Sequence, residues 1–452
     1  MKLASPWIPR LAQGHGPPFE RLAAALADDI AAGLIGAGDR LPAHRDLAWR
    51  LGIGIGTVTK AYARLEQRGL VRSLHGRGMF VAGSSAAAGT GIDLSVNAPP
   101  QMLSDRLLQA TLSTLSKRLD AGTFGAYCHP AGRPEHRRLM ARWLARGGVD
   151  ARPDCLLLSH GAQHALAIAM ATSCPPGTLL LTEALTYPGA LLVARQAGLE
   201  PVGLAMDEEG LTPDALAEAL GSDCGRHRVL YVTPTLHNPT TATMGAERRK
   251  ALVHLCRTHD VTIIEDDVYG IFAPEGINPL ASLAPERTFH VTGLSKALSP
   301  GLRMGALVVP PDHMAKAEAR LQASSTTASA LLAEIMEMWL VDGTAEAVAA
   351  SVRADAARRS ALAAERLPAQ ASLKVNGGFH AWLPMPADAA ERFVARAALH
   401  GVALMPARAA MADPAALQGG VRISLGAPAI DQLARALGIL ADLFQPDRPV
   451  LV

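Results

Sequence analysis

The sequence predicts an α/β protein in two parts, a small helix-turn-helix unit with a β-hairpin followed by a much larger unit of alternating strands and helices. Residues 83–91 read GSSAAAGTG, a run with no large side chain and no apolar periodicity. We therefore expect a linker at 84–91 that separates domains at 1–83 and 92–452. After the linker, apolar strand-like runs alternate with Ala-, Leu- and Arg-rich helical stretches.

Composition excludes several classes of protein. The chain has 452 residues, of which 49 % are apolar and 19 % charged, so it is neither intrinsically disordered nor a small disulfide scaffold. Charge is distributed unevenly. Residues 1–83 carry 11 Lys and Arg against 6 Asp and Glu, whereas the rest of the chain carries 32 against 35. A basic N-terminal end on an acidic remainder is expected when that end meets a polyanion.

The cysteines indicate a reducing compartment. There are five, at positions 128, 155, 174, 224 and 256, with no CxxC pair, and neither they nor the histidines show metal-ligand spacing. No stretch reaches the ~18 uninterrupted apolar residues of a membrane span, and the first ten residues lack the apolar core of a signal peptide. We expect a cytoplasmic protein that has no metal and no membrane partner.

The N-terminal unit reads as three helices. Apolar side chains at helical spacing predict a helix over 19–34, and GAGDRLP then turns the chain into a second helix that begins near His44. Residues 52–56 are the predicted turn of a helix-turn-helix. The third helix, over 57–68, would be the recognition helix and would present Gly56, Thr57 and Lys60 near its exposed start.

A β-wing is predicted after the third helix. Residues 70–81 alternate around a tip formed by His75, Gly76, Arg77 and Gly78. An arginine between two glycines reaches a minor groove or a phosphate with little steric obstruction.

Residues 38–81 resemble the winged helix of GntR-type bacterial transcription regulators. They match, in order, the motifs G-D-R-L-P, x-x-R, L-A, L-G, T-V, A-Y, G-L-V and G-x-G-x-F-V. The resemblance implies that Arg45 contacts DNA at the start of its helix and that Thr57, His75, Gly76 and Arg77 add further contacts. One position departs from the pattern, because Ile55 stands where many members have arginine.

The second unit carries a different chemistry, centred on the segment HVTGLSKALSPGLRMGALVV at 290–309. A lysine in such an apolar stretch is costly to bury unless its amine is used, for instance as a Schiff base, and Lys296 is the candidate. Arg303 follows a Pro-Gly turn and can offer its guanidinium to a phosphate near that lysine. Ser295 adds a hydroxyl.

Further polar residues follow predicted strands, at the edge where α/β proteins bind ligands. The strand at 261–264 leads into Glu265, Asp266 and Asp267, and a pyridinium nitrogen requires such an anion. Asn238 follows the strand at 229–232. The sequence SHGAQ at 159–163 begins a helix whose free N–H groups suit a phosphate, and Tyr187 could stack on an aromatic ring.

Residues 92–443 resemble the fold-type-I pyridoxal-phosphate aminotransferases, through N-P-T, E-D-D-x-Y and S-K-x-x-x-P-G-L-R-x-G in the family's order. The resemblance implies a large subdomain with a mainly parallel sheet, a small α+β C-terminal subdomain, and pyridoxal 5'-phosphate as cofactor. It assigns Lys296 to the covalent bond, Asp266 to the ring nitrogen, and Tyr269 with Asn238 to the phenolic oxygen. The remaining implied roles are ring stacking by Tyr187, phosphate binding by Gly161, Ala162, Gln163, Ser295 and Arg303, a phosphate contact in the other subunit by Tyr127, and binding of an effector carboxylate by Arg422.

Three residues depart from the aminotransferase pattern. Gly293 stands where many relatives have Ser or Thr, which removes one expected phosphate contact. Thr241 replaces the glycine of N-P-T-G, and His160 replaces a small hydroxyl residue.

The two halves together resemble the MocR family of regulators. The resemblance implies a DNA-binding transcription regulator, a head-to-tail homodimer that senses an amino acid or amine effector through aldimine exchange at Lys296. Two alternatives remain open: an active aminotransferase with an accessory DNA-binding domain, and a DNA-binding protein whose large domain only dimerises. The nearly complete set of cofactor residues disfavours the second alternative.

Overall fold

The structure is a computed structural model that describes residues 7, 10–12, 16–31, 35, 39–67, 70–74, 78–81, 91–119, 121–222 and 225–444. The chain divides into two compact units, Met1–Thr90 and Gly91–Val452. Along the described residues, no helix is both long and apolar enough to cross a membrane.

The first unit is a winged helix-turn-helix. Its elements are α1 (Pro18–Ala31), α2 (His44–Leu51), α3 (Ile55–Gln67), β1 (Val71–Leu74) and β2 (Gly78–Val81). The strands pair antiparallel, with Val71 opposite Val81. Backbone bonds from Leu41 N to Met79 O (2.8 Å) and from Val81 N to Asp39 O (2.9 Å) hold the wing against the segment before α2. The wing tip at His75, Gly76 and Arg77 lies outside the described residues.

Helix α3 begins two residues earlier than the sequence predicts. The carbonyl of Gly54 accepts the N–H groups of Thr57 (2.9 Å) and Val58 (3.4 Å), so the first helical turn forms around Ile55 and Gly56 although glycine disfavours helices. The predicted turn over 52–56 is therefore wrong for its last two residues, and Ile55 belongs to the recognition helix.

The core of the first unit is apolar and contains one buried hydroxyl. Leu22, Leu26, Leu47 and Val58 pack around Tyr62, which is fully buried. The Tyr62 hydroxyl donates to the Pro42 carbonyl at 2.8 Å, so the buried polar group has a partner.

The second unit contains a large sheet covered by helices. In chain order its elements are β3 (Ile92–Asp93), α4 (Asp105–Arg118), α5 (Ala121–Gly125), α6 (Pro134–Ala145), β4 (Leu156–Ser159), α7 (Ala162–Ser173), β5 (Leu179–Glu183), α8 (Pro188–Gln196), β6 (Glu200–Leu204), β7 (Met206–Asp207), β8 (Gly210–Leu211), α9 (Pro213–Gly221), β9 (Arg228–Val232), α10 (Ala246–Thr258), β10 (Thr262–Asp266), α11 (Leu280–Leu283), β11 (Thr288–Gly293), β12 (Gly305–Val308), α12 (Met314–Ser325), α13 (Ala330–Val341), α14 (Thr344–Arg366), β13 (His380–Pro386), α15 (Ala387–Leu399), β14 (Val402–Ala403), β15 (Gln418–Ser424) and α16 (Ile430–Asp442).

The large sheet has seven strands in the order β4-β12-β11-β10-β9-β5-β6. All run parallel except β12, which is antiparallel to both of its neighbours. The carboxyl ends of six strands and the start of β12 therefore meet at one edge. The predicted strand-end residues all lie at the ends of strands of this sheet or in the segments that follow them.

A smaller α+β subdomain completes the unit. Strands β13 and β15 pair antiparallel, and α14, α15 and α16 contribute to the core beside them. The first strand of the unit, β3, pairs parallel with β14, so the chain that enters the unit joins this C-terminal subdomain. The predicted fold class is confirmed, including the mainly parallel sheet.

Replacing Tyr62 by Phe tests the buried hydrogen bond of the first unit. We expect amides of α3 to exchange with solvent faster, corresponding to a loss of about 1–3 kcal/mol in opening free energy, because the buried Pro42 carbonyl loses its donor. Hydrogen exchange of the full chain measures the change. Tyr127→Phe, at a tyrosine that is 89 % exposed, is the control and should leave α3 unchanged. Equal exchange in both variants would contradict a stabilising role for the Tyr62 bond.

Candidate cofactor and effector site

A cavity of about 470 Å³ opens at the strand-end edge of the large sheet. Ten of the predicted site residues line it: Ala162, Gln163, Tyr187, Asn238, Asp266, Tyr269, Ser295, Lys296, Arg303 and Arg422. They come from separate segments of the large subdomain and from β15 of the small one. The cavity therefore lies where the two subdomains meet.

Lys296 follows β11 and its amine is buried in the cavity wall. Its Nζ donates to the carbonyl of Asn97 and lies 6.0 Å from the centre of the Tyr269 ring. Burial, reinforced by the nearby Arg422, lowers the pKa of Lys296 to about 8, although Asp266 acts in the opposite direction. A minor fraction of the amine is therefore neutral and nucleophilic at pH 7, a far larger fraction than for an exposed lysine.

Asp266 ends β10 and presents one free oxygen. Tyr231, on the neighbouring strand β9, donates its hydroxyl to Asp266 Oδ2 at 2.9 Å, while Oδ1 has no partner among the described residues. Burial raises the pKa of Asp266 to about 6, and the Tyr231 bond opposes this shift. The carboxylate form, which prevails above that pH, is suited to hold a protonated ring nitrogen.

Asp267 points to a different place. It lines a separate cleft with His290 and Thr292, whereas Asp266 lines the cavity. Glu265 serves the fold, because its carboxylate accepts the N–H groups of Leu280 (2.7 Å) and Ala281 (2.9 Å) at the start of α11. Of the three consecutive acids, Asp266 alone lines the cavity, as the sequence predicts.

The start of α7 forms an anion-binding corner. Gly161 precedes the helix with φ of 80°, no side chain caps it, and a Cβ there would lie 3.1 Å from Arg303 Nη2. Gly305 permits this packing, since a Cβ there would lie 2.4 Å from the carbonyl carbon of Gly161. Free N–H groups at a helix start, with a guanidinium beside them, suit a phosphate.

The structure shows what surrounds each of the three residues that depart from the aminotransferase pattern. A Cβ at Gly293 would lie 3.3 Å from Ala162 N, so a serine there would press on the helix start. Thr241 adopts φ of 66°, in the left-handed region that favours glycine. His160 Nε2 lies 3.0 Å from the carbonyl of Thr327.

Arg422 is buried and only partly satisfied. Its Nη1 donates to Asn238 Oδ1 at 2.8 Å and its Nη2 to the Ser95 carbonyl at 2.6 Å, whereas Nε has no partner among the described residues. A buried guanidinium with no carboxylate partner is costly, so this position favours an anionic ligand.

Several cavity-lining polar atoms have no hydrogen-bond partner within the described ranges. They include Asn97 Oδ1, Gln163 Oε1, Asp266 Oδ1, Ser295 Oγ and Arg422 Nε. Native proteins leave few buried polar atoms unsatisfied, so their concentration in one cavity indicates a polar ligand. The set of an amine, a carboxylate and an anion corner fits pyridoxal 5'-phosphate.

The structure adds residues that the sequence analysis missed. Asn97 donates to the Tyr269 hydroxyl at 2.8 Å, while its own carbonyl accepts from Lys296, and Ser95 binds Arg422 through its carbonyl. Contacts through backbone carbonyls leave no sequence signal. Tyr231 could have been found, because a hydroxyl inside an apolar strand needs a buried partner.

Other predicted residues do not line the cavity. Tyr127 does not line it and is 89 % exposed. In the first unit, Arg45 and Lys60 are exposed and Thr57 is half-buried near the start of α3.

One group of potential metal ligands occurs among the described residues. Atoms of His136, Glu334 and Glu337 lie within 4.8 Å of one another. Arg133 pairs with Glu334 at 2.9 Å and Arg118 with Glu337 at 3.2 Å, so both carboxylates are already neutralised.

Comparison with known proteins matches each of the two units to a family. Residues 90–440 match the family Aminotransferase class I and II, and residues 18–81 match the bacterial regulatory proteins of the gntR family. The uncharacterized HTH-type transcriptional regulator YdeF of Bacillus subtilis strain 168 is 28 % identical over 450 residues, covering 97 % of this chain and 96 % of YdeF.

Two further similarities cover most of the chain. The vitamin B6 salvage pathway transcriptional repressor PtsJ of Salmonella typhimurium is 30 % identical over 374 residues, 80 % of this chain and 84 % of PtsJ. Among solved structures, an archaeal alanine:glyoxylate aminotransferase superposes with a TM-score of 0.73 at 24 % identity, covering 86 % of this chain and 94 % of the enzyme chain.

Fold and cavity define a protein that joins a winged-helix DNA-binding domain to an aminotransferase-type domain with pyridoxal 5'-phosphate as its cofactor. The chain belongs to the aminotransferase class I and II family, within the group of GntR-type, or MocR-type, transcription regulators that carry such a domain.

Replacing Tyr231 by Phe tests how Asp266 is held. We expect the pKa of Asp266 to rise further above about 6, because the carboxylate loses a hydrogen bond while staying buried. As the pH is lowered, cofactor affinity should therefore begin to fall at a higher pH than it does in the unmodified protein. Equilibrium titration with pyridoxal 5'-phosphate across pH measures the shift. Tyr62→Phe, which removes a buried hydroxyl from the other unit, is the matched control. Identical pH profiles for the two variants would contradict the role of Tyr231.

Proposed function

We propose that this transcription regulator senses an amine that carries a carboxylate, such as an amino acid, in the cavity beside Lys296. The observation that carries the proposal is the placement of Lys296 and Arg422 in one cavity of a chain that also has a DNA-binding domain. A primary amine and a carboxylate are the two groups that the common α-amino acids other than proline all offer.

The cofactor contacts are part of the proposal. Lys296 would hold it covalently, Asp266 Oδ1 would hold its ring nitrogen, and the start of α7 with Ser295 and Arg303 would hold its phosphate. Tyr187 would stack on the ring, and Tyr269 with Asn238 would face its phenolic oxygen. When bound, pyridoxal 5'-phosphate supplies a carbonyl carbon that condenses reversibly with primary amines.

The residues of the chain supply binding and proton transfer. Arg422 offers its unpartnered Nε and the edge of its guanidinium to the effector carboxylate, as arginine does in bidentate pairs. Because its pKa is about 8, Lys296 can either hold or release a proton at Nζ when the pH is close to that value. Asn97 fixes the Tyr269 hydroxyl at one wall of the cavity.

Binding of the effector would affect a contact between the two subdomains. Arg422 lies on β15 of the small subdomain, and its partner Asn238 follows β9 of the large one. A carboxylate that binds Arg422 therefore changes a contact between the subdomains. An effector that binds one arrangement more tightly shifts the population toward it, and this shift would alter how the winged helices meet DNA.

The proposal includes a head-to-tail homodimer with the linker at 84–91. Tyr127 is exposed in the single chain, and a partner's phosphate site would give this tyrosine a ligand. DNA would be bound by Arg45, Thr57 and Lys60 and, in the wing, by His75, Gly76 and Arg77. We place this activity in the bacterial cytoplasm, because the operator DNA is there.

One alternative has its own support. The amine, carboxylate and arginine of an aminotransferase site are all present, which favours an active aminotransferase with an accessory DNA-binding domain. We expect any such chemistry to be slow, because a sensor gains from holding its ligand.

Covalent capture of the cofactor tests the site. After borohydride reduction, we expect peptide mapping to find the cofactor on Lys296, and Lys296→Ala to retain none covalently. The rate of capture by the cofactor-free chain should rise with pH through about 8 and level off above it, because only the neutral amine attacks. Lys316→Ala, which removes the amine from α12, is the control. Reduced cofactor on another lysine would contradict the assignment.

Coupling between effector and DNA tests the function. We expect at least one amino acid to change the affinity of the cofactor-loaded chain for its DNA by about fivefold or more, measured by fluorescence anisotropy. Arg422→Lys should bind the same DNA without this response, because lysine keeps the charge but loses the bidentate fork. Turnover with a keto acid at about 1 per second or faster, with no effect of any amino acid on DNA affinity, would favour the alternative.

A further inference from the structure

Ile55 is an exposed apolar residue on the element that the GntR-type fold uses to read DNA. It begins α3, and its side chain is 50 % exposed. Both flanking residues, Gly54 and Gly56, lack side chains, and a Cβ at Gly56 would meet nothing within 4 Å. Neither neighbour in the chain therefore has a side chain to cover the exposed half of Ile55 at the start of the helix.

The surroundings of Ile55 offer few hydrogen-bond donors. The Thr59 hydroxyl, one turn further along, donates back to the Ile55 carbonyl at 3.1 Å. Gly54 and Gly56 contribute no side-chain polar atom. Ile55 itself has no donor for the hydrogen-bonded reading that arginine performs on guanine, and besides Thr59 the next side-chain donors along the helix are those of Thr57 and Lys60.

Exposed cations on α2 and α3 are of a kind that binds DNA. Arg45 at the start of α2 and Lys60 in the second turn of α3 are both exposed. Cations of this kind bind phosphates and fix the register of a helix on the duplex without reading sequence. The N-terminal residues of a recognition helix then lie against base edges in the major groove.

We propose that Ile55 reads the 5-methyl group of thymine in the major groove of the operator. That methyl is the one apolar group that the four bases present there. Contact between the two removes apolar surface of both from water, whereas a guanine or cytosine edge would lose hydrogen bonds to water against the same side chain. The inference depends on the proposed placement of α3 in the groove and concerns the sequence that this placement selects.

Removing single methyl groups from the DNA tests the contact. The probe is a duplex that the full-length chain selects from a randomised pool, in which each thymine is replaced in turn by deoxyuridine. We expect a loss of affinity of about two- to fourfold at one or two positions in each half-site, the effect of exposing roughly one methyl group. Elsewhere the substitution should have no effect.

Variants of the protein assign the effect to Ile55. Ile55→Ala should bind the thymine and deoxyuridine duplexes equally at those positions, and Ile55→Val should keep part of the difference. Leu399→Ala removes a side chain that is 86 % exposed in the second unit and should preserve the full difference.

Two results would overturn the inference, and they differ from failure of DNA binding. Insensitivity to every thymine methyl, or the same sensitivity in Ile55→Ala as in the unmodified chain, rules out the contact while the selected duplex still binds. Failure to enrich any duplex from the pool would instead contradict DNA binding by this chain, and the inference with it.

Discussion

The site in the second unit depends on the free-energy cost of burying charged side chains at one edge of the large sheet. Asp266 and Arg422 are buried, and the half-buried Lys296 turns its amine into the same cavity wall, so water contributes little to the solvation of their charges. The charges of these residues compensate one another only in part. Burial therefore lowers the pKa of Lys296 and raises that of Asp266. An electrophilic carbon and a ring nitrogen that accepts a proton would relieve these costs at Lys296 and Asp266, and the carboxylate of an effector would relieve the cost at Arg422. The buried charges of the cavity therefore favour the binding of a ligand there.

The geometry of that edge depends on very small residues. Gly305 lies so close to Gly161 that a methyl group on Gly305 would force the helix start away from the sheet, whereas a methyl group on Gly161 would press on the Arg303 guanidinium. Because β12 enters the sheet antiparallel, Arg303 is delivered to the same edge as residues that leave parallel strands. The anion corner is therefore a product of sheet topology as much as of residue type.

Much of this arrangement could be predicted from the sequence, because strand-end positions carry their chemistry in the side chains. Asp266 and Lys296 lie at or just after the ends of apolar runs short enough to be strands, Arg303 precedes a further such run, and parallel strands bring their ends together. The carbonyls of Ser95 and Asn97 could not be predicted, because any residue has a carbonyl and nearly 200 positions separate Asn97 from Lys296. The start of α3 was misplaced for a related reason, since the Gly54 carbonyl stabilises a helical turn that the glycines themselves disfavour.

The segment that follows the linker takes part in both the cavity and the small subdomain. Ile92 pairs with β14, and within five residues the chain gives its carbonyls to Arg422 and Lys296. Any molecule that displaces Lys296 from Asn97 therefore changes the bonding of the very stretch to which the N-terminal unit is attached. Thermodynamic linkage makes this relation reciprocal. If an amine bound in the cavity changes how the chain meets DNA, as proposed above, then DNA must change the affinity of the cavity for that amine by the same factor.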